Sequence, residues 1–422
     1  MSSKIVFITS YPPRECGIAT YSRDLIRALR TCSHVPFDPV VCALEPDGGW
    51  RPYDAEVHYT LRAVSLEDYA HMAREINGNR DIHGVFIQHE FGLFGGDYGD
   101  NLLLLLYHLH KPAMITFHTV LPSPNDQLRK TVHAINQAVD KIVVMTNNAA
   151  DLLVAYYGIQ RGKIAVIPHG IHKIPAETDK LLLRRRHGLS AYTRILTTFG
   201  FLSRGKSIET ALRALPSVID RFPDTLYLII GETHPEIVRR EGEEYRDSLN
   251  RLVGELGLGN HVRFIDRYMP TDELLEYLAL SDIYLFTSKD PNQAVSGTFA
   301  YALSCGCPMV STPIPHAREV LTEDIGVLVG FEQPGQFAAA IMALLAAPQR
   351  LQQMSGKALQ VMASSTWGAV AKAHYEIFDE MKMLPAALPG ESSHGYKRRL
   401  PKAFRIRTPH PANVRLLGVG HR

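Results

Sequence analysis

The stretch Asp290-Pro-Asn-Gln-Ala-Val-Ser-Gly-Thr-Phe-Ala-Tyr-Ala-Leu-Ser-Cys-Gly-Cys-Pro-Met-Val-Ser-Thr312 carries the strongest fold signal in the chain. It follows an apolar run, residues 283–286, that is typical of a buried strand. Ser296, Gly297 and Thr298 then predict a turn that opens a short helix, and Cys305-Gly-Cys-Pro308 predicts the end of that helix. A helix N-terminus after a strand offers free backbone N–H groups and a positive dipole end, so we expect an anion to bind there.

A second loop places cations near the same edge of the predicted sheet. Gly200-Phe-Leu-Ser-Arg-Gly-Lys206 follows another apolar run and supplies Arg204 and Lys206. Ligands of parallel sheets collect at the carboxyl ends of the strands. We therefore expect Arg204, Lys206 and the turn at 296–298 to hold a diphosphate together.

The composition is that of a globular protein with more than one domain. The chain has 422 residues, 45% of them hydrophobic and 21% charged, which favours two or three domains. The formal net charge is +2, but residues 385–422 hold eight Lys or Arg and one acidic residue. The rest of the chain is therefore net negative, so we expect no nucleic-acid partner. Contact of this basic, Pro-containing tail with an anionic membrane stays open.

The cysteines and the N-terminus indicate a cytoplasmic protein without a zinc site. The five cysteines form no Cys-x-x-Cys pair, which favours reduced thiols. The first residues lead directly into a predicted strand, with no signal peptide. The longest purely apolar run, residues 102–106, is too short to span a bilayer. We expect a cytoplasmic location.

Short apolar runs alternate with amphipathic segments of helical length, which predicts parallel sheets covered by helices on both faces. The alternation occurs twice, so the predicted fold class is α/β, with two Rossmann-like, doubly wound domains facing across a cleft. The domains are predicted at 1–172 and 173–365, with helix 366–384 packing back on the first domain and a tail at 385–422. Strands are predicted at 5–9, 40–43, 85–88, 113–117, 142–145 and 165–167, and again at 195–199, 226–230, 263–265, 283–286, 309–311 and 327–329.

Seven short motifs, spread over roughly residues 1–380, together resemble the retaining glycosyltransferases of family 4, which have the GT-B fold. Each motif alone is weak, but their order on a duplicated α/β pattern is specific. The motifs are Tyr11-Pro-Pro-Arg-Glu-Cys-Gly-Ile-Ala19, Gln88-His-Glu-Phe-Gly92, Thr116-Phe-His-Thr-Val120, Ile167-Pro-His-Gly-Ile171, Gly200 to Lys206, Gly231-Glu-Thr-His-Pro235, and Ser296-Gly-Thr to Ser311-Thr312.

The resemblance implies an enzyme that moves a sugar from a nucleoside diphosphate sugar, such as GDP-mannose or UDP-glucose, to a sugar or glycan acceptor. Retention of the anomeric configuration is implied, with the donor on the second domain and the acceptor on the first. The chain contains no Asp-x-Asp, the usual metal clamp on a nucleoside diphosphate. We therefore expect no metal and no cofactor, with Lys206 and Arg204 carrying the charge.

The resemblance also assigns roles to individual residues. His118, Arg204, Lys206 and Gln293 are expected to be catalytic. The expected donor-binding residues are Gly17, Asp290, Ser296, Gly297, Thr298, Tyr301 and His234, and those on the acceptor side are Arg14, Glu15 and Glu90.

Three positions depart from the family pattern. Gln293 and Tyr301 stand where the family has two glutamates, which hold the donor sugar and the ribose, and Phe201 stands where it has an arginine. Asp290 is a candidate for the missing carboxylate, and Arg204 for the missing arginine. These departures leave two alternatives open: a sugar-nucleotide-binding pseudoenzyme or scaffold, and a phosphorylase or epimerase on the same fold.

Overall fold

The computed structural model describes residues 3–32, 37–45, 51–174 and 179–382, and these form two parallel sheets, each within its own α/β domain. The predicted basic tail, and with it the membrane contact considered for it, lies outside the described residues. Within the described ranges, no helix combines the length and the apolar character needed to cross a membrane.

The first domain is built on a seven-stranded parallel sheet in the order β3-β2-β1-β4-β5-β6-β7. Its inner strands are continuous apolar runs because helices cover both faces of the sheet. The strands are β1 (Ser3–Thr9), β2 (Phe37–Glu45), β3 (Val57–Arg62), β4 (Ile82–His89), β5 (Ala113–Phe117), β6 (Lys141–Val144) and β7 (Ile164–Val166), and the helices are α1 (Gly17–Thr31), α2 (Leu66–Gly78), α3 (Leu102–His108), α4 (Asp126–Ala138) and α5 (Asn147–Tyr157).

The second domain repeats the plan with six parallel strands in the order β10-β9-β8-β11-β12-β13. Its strands are β8 (Arg194–Phe199), β9 (Thr225–Ile230), β10 (Val262–Ile265), β11 (Ile283–Phe286), β12 (Met309–Ser311) and β13 (Gly326–Leu328). Its helices are α6 (Lys180–Arg186), α7 (Ile208–Arg221), α8 (Pro235–Glu241), α9 (Glu244–Glu255), α10 (Thr271–Leu280), α11 (Gly297–Ser304), α12 (Pro315–Val320), α13 (Pro334–Leu345) and α14 (Pro348–Met362).

The strand orders confirm the predicted class of two doubly wound domains. In each sheet the order reverses beside the first strand of the domain, β1 or β8, and ligands of such sheets bind at that reversal.

Three elements were not predicted: β3, α6 and α8. Strand β3 escapes an apolar-run search because its residues alternate between partly buried and exposed at the sheet edge.

The last described helix, α15 (Trp367–Lys382), returns to the first domain and packs against α1. Phe378 is 1% exposed and its ring lies 5.4 Å from that of Phe37 and 5.7 Å from that of Phe86. A Cβ on Gly84 would lie 2.5 Å from the Phe378 ring, so the helix rests directly on the sheet. The end of the described chain therefore completes the core of the first domain.

We expect Phe378→Ala to lower the free energy of unfolding by about 3 to 5 kcal/mol, because it leaves a cavity beneath α15. Urea denaturation followed by circular dichroism measures this. The control is Lys372→Ala on the same helix, whose side chain is 69% exposed and whose loss should cost less than about 0.5 kcal/mol. Equal losses in the two variants would contradict the packing described for α15.

Candidate active site

A cavity of about 850 Å³ opens between the carboxyl ends of the two sheets. Both domains line it, the first through its β1–α1 loop and the ends of β4 and β5, the second through the loops after β8, β9, β10 and β11. Most of the site residues predicted from the sequence line this cavity: Arg14, Gly17, Glu90, His118, Lys206, His234, Gln293, Ser296, Gly297, Thr298 and Tyr301. Glu15, Arg204 and Asp290 are not among the lining residues.

The turn at the start of α11 is shaped by its own side chains. Ser296 is the N-cap of α11. Its Oγ accepts a hydrogen bond from the backbone N–H of Phe299 at 3.3 Å and lies 3.0 Å from Oγ1 of Thr298. The amides of Gly297 and Thr298 are the first of the helix and have no acceptor in a preceding turn. These two N–H groups, at the positive end of α11, can bind an anion in the cavity.

Lys206 brings a positive charge to the same place. A Cβ built on Gly200 would lie 3.0 Å from Cγ2 of Thr298 and 3.9 Å from Nζ of Lys206, so all three residues converge. Burial lowers the pKa of Lys206 to about 8, and no carboxylate among the described residues offsets this shift. An unpaired ammonium beside two free amides is suited to a phosphate ligand.

Arg204 differs from the expectation. It shares a single 3₁₀ turn with Lys206, Arg204–Lys206, in which successive side chains point in different directions. Its guanidinium lies 2.8 Å from a carboxylate oxygen of Glu244 and 3.8 Å from one of Glu241, and half of the side chain is exposed. The structure thus directs Arg204 to surface carboxylates instead of the cavity.

Asp290 also differs from its predicted role. It is exposed, and its Oδ1 accepts the backbone N–H of Asn292 at 2.9 Å, which stabilises the turn before α11. Its neighbour Gln293 does reach the cavity, with its Oε1 accepting from Oγ of Ser288 at 2.8 Å. Asp290 therefore does not replace the carboxylate that Gln293 lacks.

His118 directly follows the last residue of β5 and lines the cavity. Its Nε2 lies 2.9 Å from Oε1 of Gln88, and its ring meets that of Tyr21 edge-on at 4.9 Å. Burial lowers the pKa of His118 to about 3, so the ring is neutral. Since the Gln88 oxygen can only accept a hydrogen bond, Nε2 of His118 carries the hydrogen and Nδ1 is left as an acceptor.

Of the three residues predicted on the acceptor side, Arg14 and Glu90 line the cavity and Glu15 does not. Glu90 is held by the hydroxyl of Thr119 at 2.7 Å and the amide of Phe91 at 3.0 Å, and burial raises its pKa. Arg14 lines the cavity, but Glu15 is exposed at its margin. Burial and the neighbouring Glu15 carboxylate raise the pKa of Glu232, on the opposite domain.

Tyr301 lines the cavity, but its hydroxyl is committed to the first domain. It donates to Oδ2 of Asp24 on α1 at 2.9 Å, and His172 lies 3.0 Å from the same oxygen. The Tyr301 and His172 rings stack at 5.5 Å. Burial alone would raise the pKa of Asp24, but His172, Arg23 and Tyr301 hold it below its ordinary value. The residue predicted to bind ribose thus ties the two domains together.

Three aromatic residues of the second domain cluster at the cavity, and sequence reasoning named His234 and Phe201 but missed Tyr268. Phe201, His234 and Tyr268 follow β8, β9 and β10, and the Phe201 ring lies 5.2 Å from His234 and 6.0 Å from Tyr268. The Tyr268 hydroxyl lies 3.2 Å from that of Thr20, across the cleft. The signal that could have identified Tyr268 was its position, because it lies in the loop that follows β10, as Phe201 and His234 lie in the loops after β8 and β9.

Two facing Rossmann-like domains with a cleft between them define the GT-B class of fold, and solved structures agree. A glycosyltransferase from Rickettsia africae superposes with a TM-score of 0.73 over 91% of this chain and 100% of its own, at 18% identity. Anabaena HepE in complex with UDP gives 0.66 over 90% of this chain and 100% of its own, at 15% identity.

The sequence comparisons identify the family. The model for glycosyl transferases group 1 matches residues 179–361, and that for Glycosyltransferase Family 4 matches residues 16–173. The chain belongs to glycosyltransferase family 4, as its motifs predicted.

Two curated relatives show how far the similarity extends. D-inositol 3-phosphate glycosyltransferase 2 of Catenulispora acidiphila is 27% identical over 57% of this chain, which spans only 56% of that relative. A GDP-mannose-dependent monoacylated alpha-(1-6)-phosphatidylinositol monomannoside mannosyltransferase of Corynebacterium glutamicum is 24% identical over 89% of this chain and 94% of its own.

The pKa of Lys206, about 8, predicts how nucleoside diphosphate binding depends on pH. The ammonium is charged below pH 8 and loses its proton above it, so the affinity for UDP or GDP should stay constant below that pH and weaken above it. Calorimetric titrations between about pH 6.5 and about pH 9.5 measure this. Lys206→Arg stays charged throughout and should remove the dependence. A wild-type affinity that does not change with pH would contradict the placement of Lys206.

Tyr301→Phe keeps the ring but removes the donor to Asp24. We expect the free energy of unfolding to fall by about 1.5 to 3 kcal/mol, the usual contribution of a hydrogen bond to a charged group. The affinity for UDP or GDP should stay unchanged. The control is Tyr107→Phe, at a residue that is 44% exposed, with no expected loss. Weakened nucleotide binding in a variant of unchanged stability would return Tyr301 to the donor site.

Proposed function

We propose that this protein is a retaining glycosyltransferase that moves a sugar from a nucleoside diphosphate sugar to a sugar or glycan acceptor. The observation that carries the proposal is the convergence of the Lys206 ammonium and the α11 N-terminus beside Gly200 in the cleft. A donor diphosphate on the second domain would bind both groups. Its sugar would then lie toward His118 and Gln293, and the acceptor would lie against the β1–α1 loop and Glu90.

The chemistry follows from where the charge develops. As the bond between the sugar carbon and the diphosphate oxygen breaks, negative charge grows on the leaving diphosphate. Lys206 and the amides of Gly297 and Thr298 are already in place to stabilise it, and one such donor commonly contributes about 3 to 4 kcal/mol. The acceptor oxygen forms its bond on the same face of the sugar, and its proton passes to the leaving phosphate oxygen.

We propose that the reaction needs no metal ion, because Lys206 supplies positive charge at the diphosphate. The relative from Corynebacterium glutamicum is named for GDP-mannose, and the solved Anabaena neighbour binds UDP. GDP-mannose and UDP-glucose are therefore the first donors to test, each with and without a chelator. The same relative is named for a phosphatidylinositol monomannoside acceptor, so glycan or lipid-linked sugar acceptors are the first to test.

A second function, sugar-nucleotide binding without turnover, is favoured by two specific contacts. The Gln293 amide is held by Ser288, and the Tyr301 hydroxyl by Asp24. Neither residue supplies a carboxylate to a developing oxocarbenium ion. Two measurements would favour this function over transfer. Calorimetry would show donor binding, and a transfer assay with a broad panel of acceptors would show no product.

The central test is Lys206→Ala. We expect transfer to fall by at least about a hundredfold, because the diphosphate loses its preorganised cation. The melting temperature should not fall, since the buried ammonium has no carboxylate partner to lose among the described residues. The measurement is product formation followed by mass spectrometry with GDP-mannose and UDP-glucose.

Arg204→Ala is the matched control, since Arg204 lies in the same turn but points to Glu244. It should keep wild-type transfer. Normal turnover by Lys206→Ala would overturn the phosphate assignment. Loss of turnover in Arg204→Ala alone would return the role to Arg204, as the sequence had indicated.

A further inference from the structure

The amide of Ser296 is the one N–H of the anion-binding turn that already has a partner. It donates to Nδ1 of His316, on α12, at 3.2 Å. Ser296 is 4% exposed and His316 7%, so this hydrogen bond is shielded from water. A buried amide that lost its acceptor would have to find another by moving the turn.

The protonation state of His316 suits this contact. Nδ1 can accept a hydrogen bond from the Ser296 amide only when the ring is neutral and its hydrogen is on Nε2. Burial lowers the pKa of His316 to about 3, with a smaller contribution from His169. The ring also packs on Phe299, the first buried residue of α11, at 4.7 Å. The acceptor is thus fixed in position and in tautomer.

His316 does not line the main cavity. It lines a smaller cavity of about 260 Å³ behind the turn, together with Phe299 and His169. On the other side of the turn, a Cβ on Gly297 would lie 3.0 Å from Nε2 of His169. The imidazole of His316 therefore occupies the Ser296 amide, and that of His169 limits the space at Gly297. What remains directed at the cavity are the amides of Gly297 and Thr298.

We propose that His316 is a positioning residue for the donor phosphates: by accepting the Ser296 amide, it fixes the orientation of the Gly297 and Thr298 amides. This inference rests on the proposed function, because the phosphates belong to the proposed donor. His316 acts through the turn and touches no ligand. Its effect should therefore appear in phosphate affinity and in the donor KM.

The test compares two substitutions. The Oδ1 atom of His316→Asn can occupy the place of Nδ1 and accept the same amide, whereas His316→Leu fills the space without an acceptor. We expect the Kd for UDP or GDP to rise about tenfold in His316→Leu, as for a lost buried hydrogen bond, and to stay near wild type in His316→Asn. Calorimetry gives the Kd values, and the donor KM and kcat follow from the transfer assay. The donor KM should rise in His316→Leu only.

His374→Leu is the matched control. His374 is a fully buried neutral histidine of α15 that bonds to the Val370 carbonyl and lies in the first-domain core. A merely structural role for His316 predicts that both leucine variants lower the melting temperature and leave the Kd of the folded protein unchanged. A positioning role predicts a raised Kd in His316→Leu alone, with rescue by His316→Asn.

The outcomes separate this inference from the proposed function. If wild type binds neither UDP nor GDP, the proposed donor site fails before His316 is tested. If wild type binds and His316→Leu binds equally well, or His316→Asn shows the same loss as His316→Leu, the positioning role is overturned. Should His316→Leu fail to fold, His316→Asn and His316→Gln remain. His316→Phe, which lacks an acceptor, then takes the place of His316→Leu. Weaker UDP or GDP binding in His316→Phe than in His316→Asn and His316→Gln supports the positioning role, and equal binding in all three overturns it.

Discussion

The donor side of the cleft depends on one uncompensated charge. Lys206 has an ammonium in the cavity wall and, among the described residues, no carboxylate that lowers the cost of burying it. Burying a charge without a partner is unfavourable, and a bound anion would offset that cost. The neighbouring N-terminus of α11 has the same requirement, because its first amides have no acceptor within the helix. The proposed donor diphosphate would satisfy both groups.

The two domains are joined by the opposite arrangement, a buried charge that is fully satisfied. The Asp24 carboxylate, on α1, accepts from Tyr301 on α11 and from His172 between the domains. Tyr301 lies on α11, the helix whose N-terminus is the proposed anion site, so the same helix contacts the cavity and the first domain. Any change in the angle between the domains must move α11 or break a hydrogen bond to a buried carboxylate.

The fold was predictable because its signal is local. Parallel strands buried on both faces, such as β5 and β11, are short continuous apolar runs that the sequence shows directly. The edge strand β3 lacks that signal because half of its side chains are exposed. The duplicated order of strands and helices, with the motifs at strand ends, was enough to indicate the GT-B class.

The site was predictable only in part, because side-chain direction depends on distant partners. Arg204 and Lys206 are two residues apart in the sequence, and Arg204 points outward because the carboxylates of Glu241 and Glu244, the latter 40 residues away, lie beside its guanidinium. The partner of Tyr301 lies 277 residues away. A motif specifies which residue types occupy a loop, but such long-range contacts decide which of them face the ligand.

The departures from the family pattern have a common physical consequence. With Gln293 neutral, Tyr301 engaged by Asp24 and Phe201 in place of an arginine, the donor pocket holds fewer charged groups of both signs than the resemblance implies. In the proposed reaction, stabilisation of the leaving diphosphate then depends mainly on Lys206 and on fixed backbone dipoles. Dipoles stabilise charge only when their orientation is held before the reaction begins. The buried hydrogen bond from Ser296 to His316 matters for that reason, since it restrains the turn on which the remaining stabilisation depends.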